Sequence, residues 1–539
     1  MGLASLTVAH VRVARTIAAR AAAAGLLALP TVIAFSAGGF FEGARLRAAI
    51  IVWAGVAVLA LVAPAPLSRQ MRIALACLAG LAVWVTLSIL WAPLRDGALG
   101  DAERVWLYVG YAVAASLVIR GRAVMWVEPI LATGGVVVAG YALATRLVPG
   151  VVPSTHSLRA GARLDQPLTY WNAIGLLMAM TVVLLLHVAC DPARRARIRT
   201  LAAAVVPAPG LALYLTFSRG GLVALAVGTI VLVALCRDRR ATTSTIAGLG
   251  CAAAAAVAAS RFPAVDSLDG NASRQGVAML AILVALCFVA GGLHVAIQRG
   301  AVDNFRLRSR AGAAAAVVVA VFAVGAVVAT TRSPTVPAQP TTNRTSGVQL
   351  PRTSARLATI KTNRPSYWKV ALRGFAGKPL TGVGAHGFQQ LWLQKRPISE
   401  SVQDAHSLYL ETAAELGAVG LLLLLGWLSG PVGALRAVLR TPSGSLLSAG
   451  WAAASAAFLV HAAQDWDWEM PAVSLPFIAL TAALLGAAAD GVVHRDRRQH
   501  DQRRLDRDPE ARDPVDREPD HADRNGIGHE WPYRQTPSP

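Results

Sequence analysis

Residues 403–427 read QDAHSLYLETAAELGAVGLLLLLGW. Four ionisable side chains, Asp404, His406, Glu411 and Glu415, stand immediately before an apolar run that begins at Leu416 and is dense in leucine. An apolar stretch of about 20 residues is long enough, as a helix, to cross a hydrocarbon core of ~30 Å. The stretch therefore predicts a membrane helix near 412–429 with its ionisable groups gathered at the lip of the bilayer.

Runs of this kind recur along the chain. Further helices are expected near 21–40, 48–64, 73–91, 105–119, 127–148, 171–190, 200–216, 221–235, 242–260, 277–297, 313–330, 446–463 and 471–489. Two of the alanine-rich pieces at 200–260 have the composition to merge or re-enter. The 539 residues are 55% hydrophobic and 15% charged, whereas soluble domains carry ~25% charged residues. A lipid-exposed backbone must satisfy its own hydrogen bonds, so helices are the expected spanning element. The fold class is an all-α polytopic membrane protein, a bundle of about 12–14 transmembrane helices with one large extracytoplasmic loop.

The net charge of +21 has a topological explanation. With the N-terminus inside, the inner segments hold Arg69/Arg72, Arg120/Arg122, Arg194–Arg199, Arg237–Arg240, Arg306–Arg310 and Arg436/Arg440, as the positive-inside rule requires. Arg45 and Arg47, in the first hairpin, fall on the wrong side. No basic-aromatic module is present, so no nucleic-acid partner is expected. The five cysteines lie in or beside apolar segments with no CxxC pair, which speaks against disulfides and zinc. The arginines before the first apolar stretch are followed by no small-residue cleavage site, so a retained first helix is expected.

These boundaries give four parts: an N-terminal bundle over 1–330, a large outer loop over 331–411, C-terminal helices over 412–491 and a disordered cytoplasmic tail over 492–539. The loop opens with TRSPTVPAQPTTNRTSG, an irregular composition. In SYWKVALRGFAG the spacing places Trp368, Leu372 and Phe375 on one face of a short helix. KPLTGVGAHGF then reads as a turn region.

Several polar residues stand where they are costly. Arg219, in LTFSRGGLV, reads either as a snorkelling arginine in a glycine turn or as an anion-binding one, since its planar fork suits phosphate oxygens. Arg163, in GARLDQPLTYWNAIG, belongs to an aromatic belt with a capping aspartate or to an outward polar cleft. Arg364 precedes Trp368 by one helical turn, on a solvated basic face or at a site. His406 is a surface group or a general base that Asp404 or Glu411 would orient, with His386 a competing candidate. HAAQDWDWEMPA, 461–472, reads as an interfacial tryptophan anchor; a metal site on His461, Asp465, Asp467 and Glu469 is conceivable, though no ligand spacing there resembles a known cage. Arg163, Arg219, Arg364 and His406 all fall on the outer face. Cations with one titratable base suit a substrate carrying a diphosphate leaving group. The absence of a nucleotide-binding glycine loop fits a lipid-borne one, and no cofactor or metal is required.

The stretch NRPSYWKVALRGFAGKPLTGVGAHGF…DAHSLYLETAAELGAVGLLLLL resembles the signature of the O-antigen ligase/polymerase superfamily. The matching residues are Arg364 and Trp368; Pro379, Leu380, Gly382, Gly384 and Phe388; then Ala405, His406, Tyr409, Leu410, Glu415 and Gly417. FSRGG around Arg219, RLDQPLTYWNAIG and LSILWAPLRDGAL are similar too. The resemblance implies a GT-C-like fold in a bacterial inner membrane, both termini cytoplasmic. It implies a metal-independent, inverting transferase that moves a glycan from undecaprenyl diphosphate to a hydroxyl on a glycan, lipid or protein. It puts the base on His406 and diphosphate binding on Arg219 and Arg364, with Arg163 added from the cleft and Asp404, Glu411, Glu415 and Trp368 in support. Two features depart from the pattern: the helix count exceeds the usual twelve, and Ser407 stands where asparagine is commoner. The rival reading is a multipass solute or inorganic-carbon transporter, which would carry midplane charges and internal repeats.

Overall fold

A computed structural model describes residues 3–62, 66–153, 160–268, 272–300, 354–358, 362–440 and 442–507. The expected span at 313–330, the opening of the large loop and residues 508–539 lie outside the described residues. Every described element is helical. In chain order they are α1 (Leu3–Ala34), α2 (Glu42–Val62), α3 (Arg69–Ser88), α4 (Arg95–Val118), α5 (Val124–Leu147), α6 (Trp171–Cys190), α7 (Ala196–Val205), α8 (Pro207–Leu215), α9 (Arg219–Cys236), α10 (Arg239–Ala259), α11 (Pro263–Asp266), α12 (Ala272–Gln298), α13 (Arg364–Gly377), α14 (Phe388–Lys395), α15 (Leu408–Val438), α16 (Pro442–Ala462) and α17 (Pro471–Arg507).

Among the described residues ten helical stretches are long and apolar enough to cross a membrane, and Ala19–Ala34 is a shorter apolar piece. The chain is an all-α polytopic membrane protein. The alanine-rich pieces at 200–260 neither merge nor re-enter. The first of them is broken where Pro207 opens α8, because proline cannot donate to the turn before it. The helical body ends at Asp490, and Gly491–Pro539 form a separate unit; within it the helix continues to Arg507, beyond the boundary at which a disordered tail is expected.

α6 is the hub. It is apolar all round and buried along its whole length, as a helix without a polar face must be. α5, α7, α8, α9, α10 and α16 pack around it. Helix directions alternate, which sorts the connections to two ends. One end joins 89–94, 160–170, 216–218, 362–407 and 463–470, tied by Tyr170 to Asp465, Arg364 to Asp465 and Ala385 N–H to Ser88 Oγ. The other joins 66–68, 119–123, 191–195, 237–238 and 299–300, tied by Arg120 to the Pro66 carbonyl and Arg199 to Gln298. Among the described residues of the helical body, arginines crowd this second end, where acids are few, and the first end carries most of the acids. Arg45, misplaced by the simple rule, is at the acidic end because it pairs with Glu103 at 2.8 Å and donates to the Phe40 carbonyl at 2.8 Å.

The described part of the large loop folds onto α15. Tyr367, Val370, Ala371, Phe388, Leu391, Trp392, Ala405 and Ala414 form its own small core. The buried face of α13 is therefore Tyr367, Val370, Ala371 and Gly374. The expected face of Trp368, Leu372 and Phe375 is displaced from it, and Leu372 is 52% exposed.

Candidate active site at the acidic end of the bundle

α15 opens at Gly417, whose φ of 66° and ψ of −163° lie in a region essentially reserved for glycine. The opening frees backbone groups that the Pro-Leu-Thr-Gly-Val-Gly turn then satisfies. Ala418 N–H donates to the Pro379 carbonyl at 2.7 Å, Val383 N–H to the Ala414 carbonyl at 3.0 Å and Gly384 N–H to the Glu415 carbonyl at 2.8 Å. Trp84 Nε1 donates to the Leu416 carbonyl at 2.9 Å. A Cβ at 417 would clash with the Leu380 carbonyl oxygen. The spaced glycines of the two motifs are thus one device, a helix break and the turn that plugs it.

The two glutamates before the break hold backbone. Glu415 Oε1 accepts from Phe388 N–H at 2.9 Å, and Glu411 Oε2 accepts from Ala405 N–H at 2.7 Å. Glu411 therefore fixes the His406 loop rather than the His406 ring, contrary to the expectation that it or the Asp404 carboxylate orients the imidazole. Ser407 then caps α15, its Oγ accepting from Leu410 N–H.

Between these clamps His406 adopts φ +54°, a left-handed conformation that side chains seldom take. Its Nδ1 lies 3.1 Å from the Asp404 carbonyl oxygen. A carbonyl only accepts, so Nδ1 carries the proton and Nε2 keeps a lone pair. Tyr367 packs against the ring at 5.2 Å, and Trp368 Nε1 donates to the His406 carbonyl at 3.4 Å. Burial, aided by the Arg364 charge, holds the imidazole below its usual pKa against the pull of Asp465. His386 is in the opposite state. Its Nδ1 faces Asp101 at 3.6 Å, and that partner lifts it to about 9 despite burial. At neutral pH His386 is a cation and His406 a neutral base.

Asp465, fully buried between α16 and α17, gathers the neighbouring groups. It accepts from Arg364 Nη2 at 2.6 Å, Tyr170 Oη at 2.6 Å, Asn172 Nδ2 at 2.6 Å and Trp466 N–H at 3.0 Å. Burial alone would raise its pKa, but Arg364, His406 and His461 together hold it low. Arg219 begins α9 directly after Ser218, whose Oγ accepts from Gly221 N–H, and it faces the charges of Arg356 and Arg364. Arg356, in the short 3-10 turn Ser354–Ala358, and Arg364 are near neighbours in sequence, and Arg219 at the start of α9 feels the charge of both, while Arg364 joins Asp465 beside His406. Arg163 stands one layer away. It is 5% exposed, lies 3.5 Å over the Trp171 ring and donates from Nε to the Ala160 carbonyl at 2.7 Å; Trp171 in turn touches Tyr170.

A second ionic cluster adjoins. Arg104 pairs with Asp101 and, at 2.7 Å, with Glu469. Among the described residues, Asp404, Glu411 and Glu469 each offer a carboxylate oxygen within 4.8 Å of the others, and His461, with a ring nitrogen, and Asp465 and Asp467, with carboxylate oxygens, do the same, so both sets have the atoms to hold a metal ion. In each an arginine already engages a carboxylate, Arg104 on Glu469 and Arg364 on Asp465. Burial raises the pKa of both Asp404 and Glu469. Below the site a cavity of about 60 Å³ opens between α3, α4, α15 and α17, with a nearly all-apolar lining that includes Leu81, Val85, Leu408, Trp427 and Phe477.

Sequence reasoning missed Arg356 altogether, and it read Asp465 as part of a tryptophan-rich anchor or a metal site, not as the partner of Arg364. Arg104 and Asp101 go unremarked in the sequence reading because they fall in the connection just before the span expected at 105–119. Their signal was there: an arginine and two acids within one turn of an apolar run.

The fold and the site define a multipass membrane protein with a buried ionic site at one end of its bundle. Residues 270–425 match the family model described as O-Antigen ligase. That stretch holds Arg364, Trp368, the plugging turn, His406, Glu411, Glu415 and Gly417, and the match bears out the resemblance read from those motifs. No curated protein matches the chain.

Proposed function

We propose that the protein is a membrane glycosyltransferase that moves a glycan from an undecaprenyl-diphosphate carrier to an acceptor hydroxyl at the extracytoplasmic face. The observation that carries this reading is His406, neutral, with Nε2 left as a base, beside an arginine cluster. His406 Nε2 takes the proton of the acceptor hydroxyl as its oxygen forms a bond to the anomeric carbon. The bond from that carbon to the diphosphate oxygen breaks, and the electron pair leaves with the diphosphate. Arg219, Arg356 and Arg364 neutralise the charge that accumulates there. Asp465 fixes Arg364. One displacement inverts the anomeric carbon. The arginines take the place a metal ion holds in other diphosphate chemistry.

The orientation follows from the arginines of the opposite end, which the positive-inside rule assigns to the cytoplasm together with both termini. The loop 331–411 and the site then face outward, in a bacterial inner membrane. The acceptor is a glycan, a lipid or a protein hydroxyl. The transporter reading is weaker, because the described ionisable groups gather at the ends of the bundle.

The test is transfer by the purified protein in a bilayer, from an undecaprenyl-diphosphate glycan to candidate acceptors, with and without EDTA. Acceptor-dependent release of undecaprenyl diphosphate, unchanged by EDTA, is expected. Loss on chelation would contradict the metal-free mechanism, and no release with any acceptor would contradict the reading.

A further inference from the structure

The end of the bundle opposite the site carries a feature that glycan transfer does not use. α7 and α12 part there around an open groove of about 820 Å³. Its wall is apolar along Leu201, Phe288 and Val295, and Phe288 is 77% exposed. Its remaining lining includes Arg197, Arg199 and Arg299, and no acidic side chain lines it among the described residues.

Two details make this a built groove. Arg199 is fixed, its Nε donating to the Ala189 carbonyl at 3.1 Å and its Nη2 to Gln298 Oε1 at 2.5 Å. On the α12 wall, Gly291 sits where a Cβ would meet Ala204 Cβ at 3.1 Å, whereas a Cβ at Gly292 would meet nothing within 4 Å. The helices touch at one glycine and leave space at the next.

An apolar trough with a basic rim, at the interfacial end of two membrane helices, matches an amphiphile with a negative head. A free anion would leave the apolar wall unused, and a zwitterionic lipid would leave the rim uncompensated. We infer that this groove holds an anionic phospholipid of the leaflet at the basic end. Its phosphate lies at the rim beside Arg197 and Arg299, and an acyl chain lies along Phe288 and Leu201. The inference is independent of the glycan-transfer reading.

The test is native mass spectrometry and thermal unfolding of the purified full-length protein with phosphatidylglycerol, with phosphatidylcholine and with inorganic phosphate. Retained phosphatidylglycerol and a raised midpoint are expected, with neither effect from phosphatidylcholine or millimolar phosphate. Removing both rim charges in R197Q/R299Q should weaken retention roughly tenfold or more. Filling the trough in G292L should weaken it with the charges unchanged. Equal retention of both lipids, unaltered retention in both variants, or the same shift with inorganic phosphate would overturn the assignment. So would a groove that takes up no lipid at all.

Discussion

At the scale of the residue, two histidines in one loop are driven to opposite charge states by their neighbours. A general base must be neutral before it acts. His406 is held below the ordinary histidine value of ~6.5 by burial and Arg364, so transfer should persist to slightly acid pH and fail as pH drops through that lowered value. A pH–rate profile checks the sign: an acid limb above neutral pH would contradict it. Replacing Asp465 by asparagine removes the charge that pulls the His406 pKa up and loosens Arg364, so the acid limb should move lower and the rate should fall. Arg219→Lys keeps the charge but loses the planar fork; a marked loss of transfer at equal protein level is expected, and full turnover would favour a merely snorkelling arginine. The candidate base and Arg219 and Arg364 were legible in the sequence because each interrupts an apolar or motif-bearing stretch. Asp465 was not, because its role depends on Tyr170, Asn172 and Arg364 converging from three distant segments. Arg356 was hidden for the same reason.

At the scale of the element, the break in α15 is the feature on which the site hangs. The sequence showed spaced glycines; that one of them opens a helix and the others plug the opening needed coordinates. Gly417→Ala would force a Cβ against the Leu380 carbonyl in a backbone region costing about 1–3 kcal/mol for other residues. A lower thermal midpoint and less folded protein in membranes are expected, and wild-type stability would contradict the plug. Glu411→Ala leaves the buried Ala405 N–H without its acceptor and should cost about 1–3 kcal/mol, the usual penalty for an unsatisfied buried donor. Glu411→Gln keeps an acceptor and should cost less, so thermal unfolding of the pair tests whether Glu411 acts through the backbone. The buried face of α13 differs from the expected one because its partner is a neighbouring helix of the same loop. The buried set follows Trp392 and Phe388 of α14, which a single-helix pattern does not contain.

At the scale of the whole molecule, the alternation of apolar runs and arginine-rich connections was enough to read a polytopic bundle. The spans from α2 to α12 fall within a few residues of those expected, apart from the start of α4 at Arg95. What the pattern left unexplained was Arg45 and Arg47; the pairing of Arg45 with Glu103 accounts for the first, and Arg47 stays an exposed exception to the rule. The orientation predicts that a cysteine placed at Arg396, in a chain whose native cysteines are replaced, reacts with an impermeant reagent in intact cells. One at Arg237 should react only after the membrane is opened, and the reverse pattern would turn the molecule over.

The most direct measurement is the rate of glycan transfer from the lipid diphosphate by the wild-type protein, His386→Gln and His406→Gln, at matched levels of folded protein. Loss of a general base costs on the order of 10²–10⁴-fold, and that drop is expected of His406→Gln, with a smaller effect at His386. Wild-type turnover by His406→Gln would contradict the account.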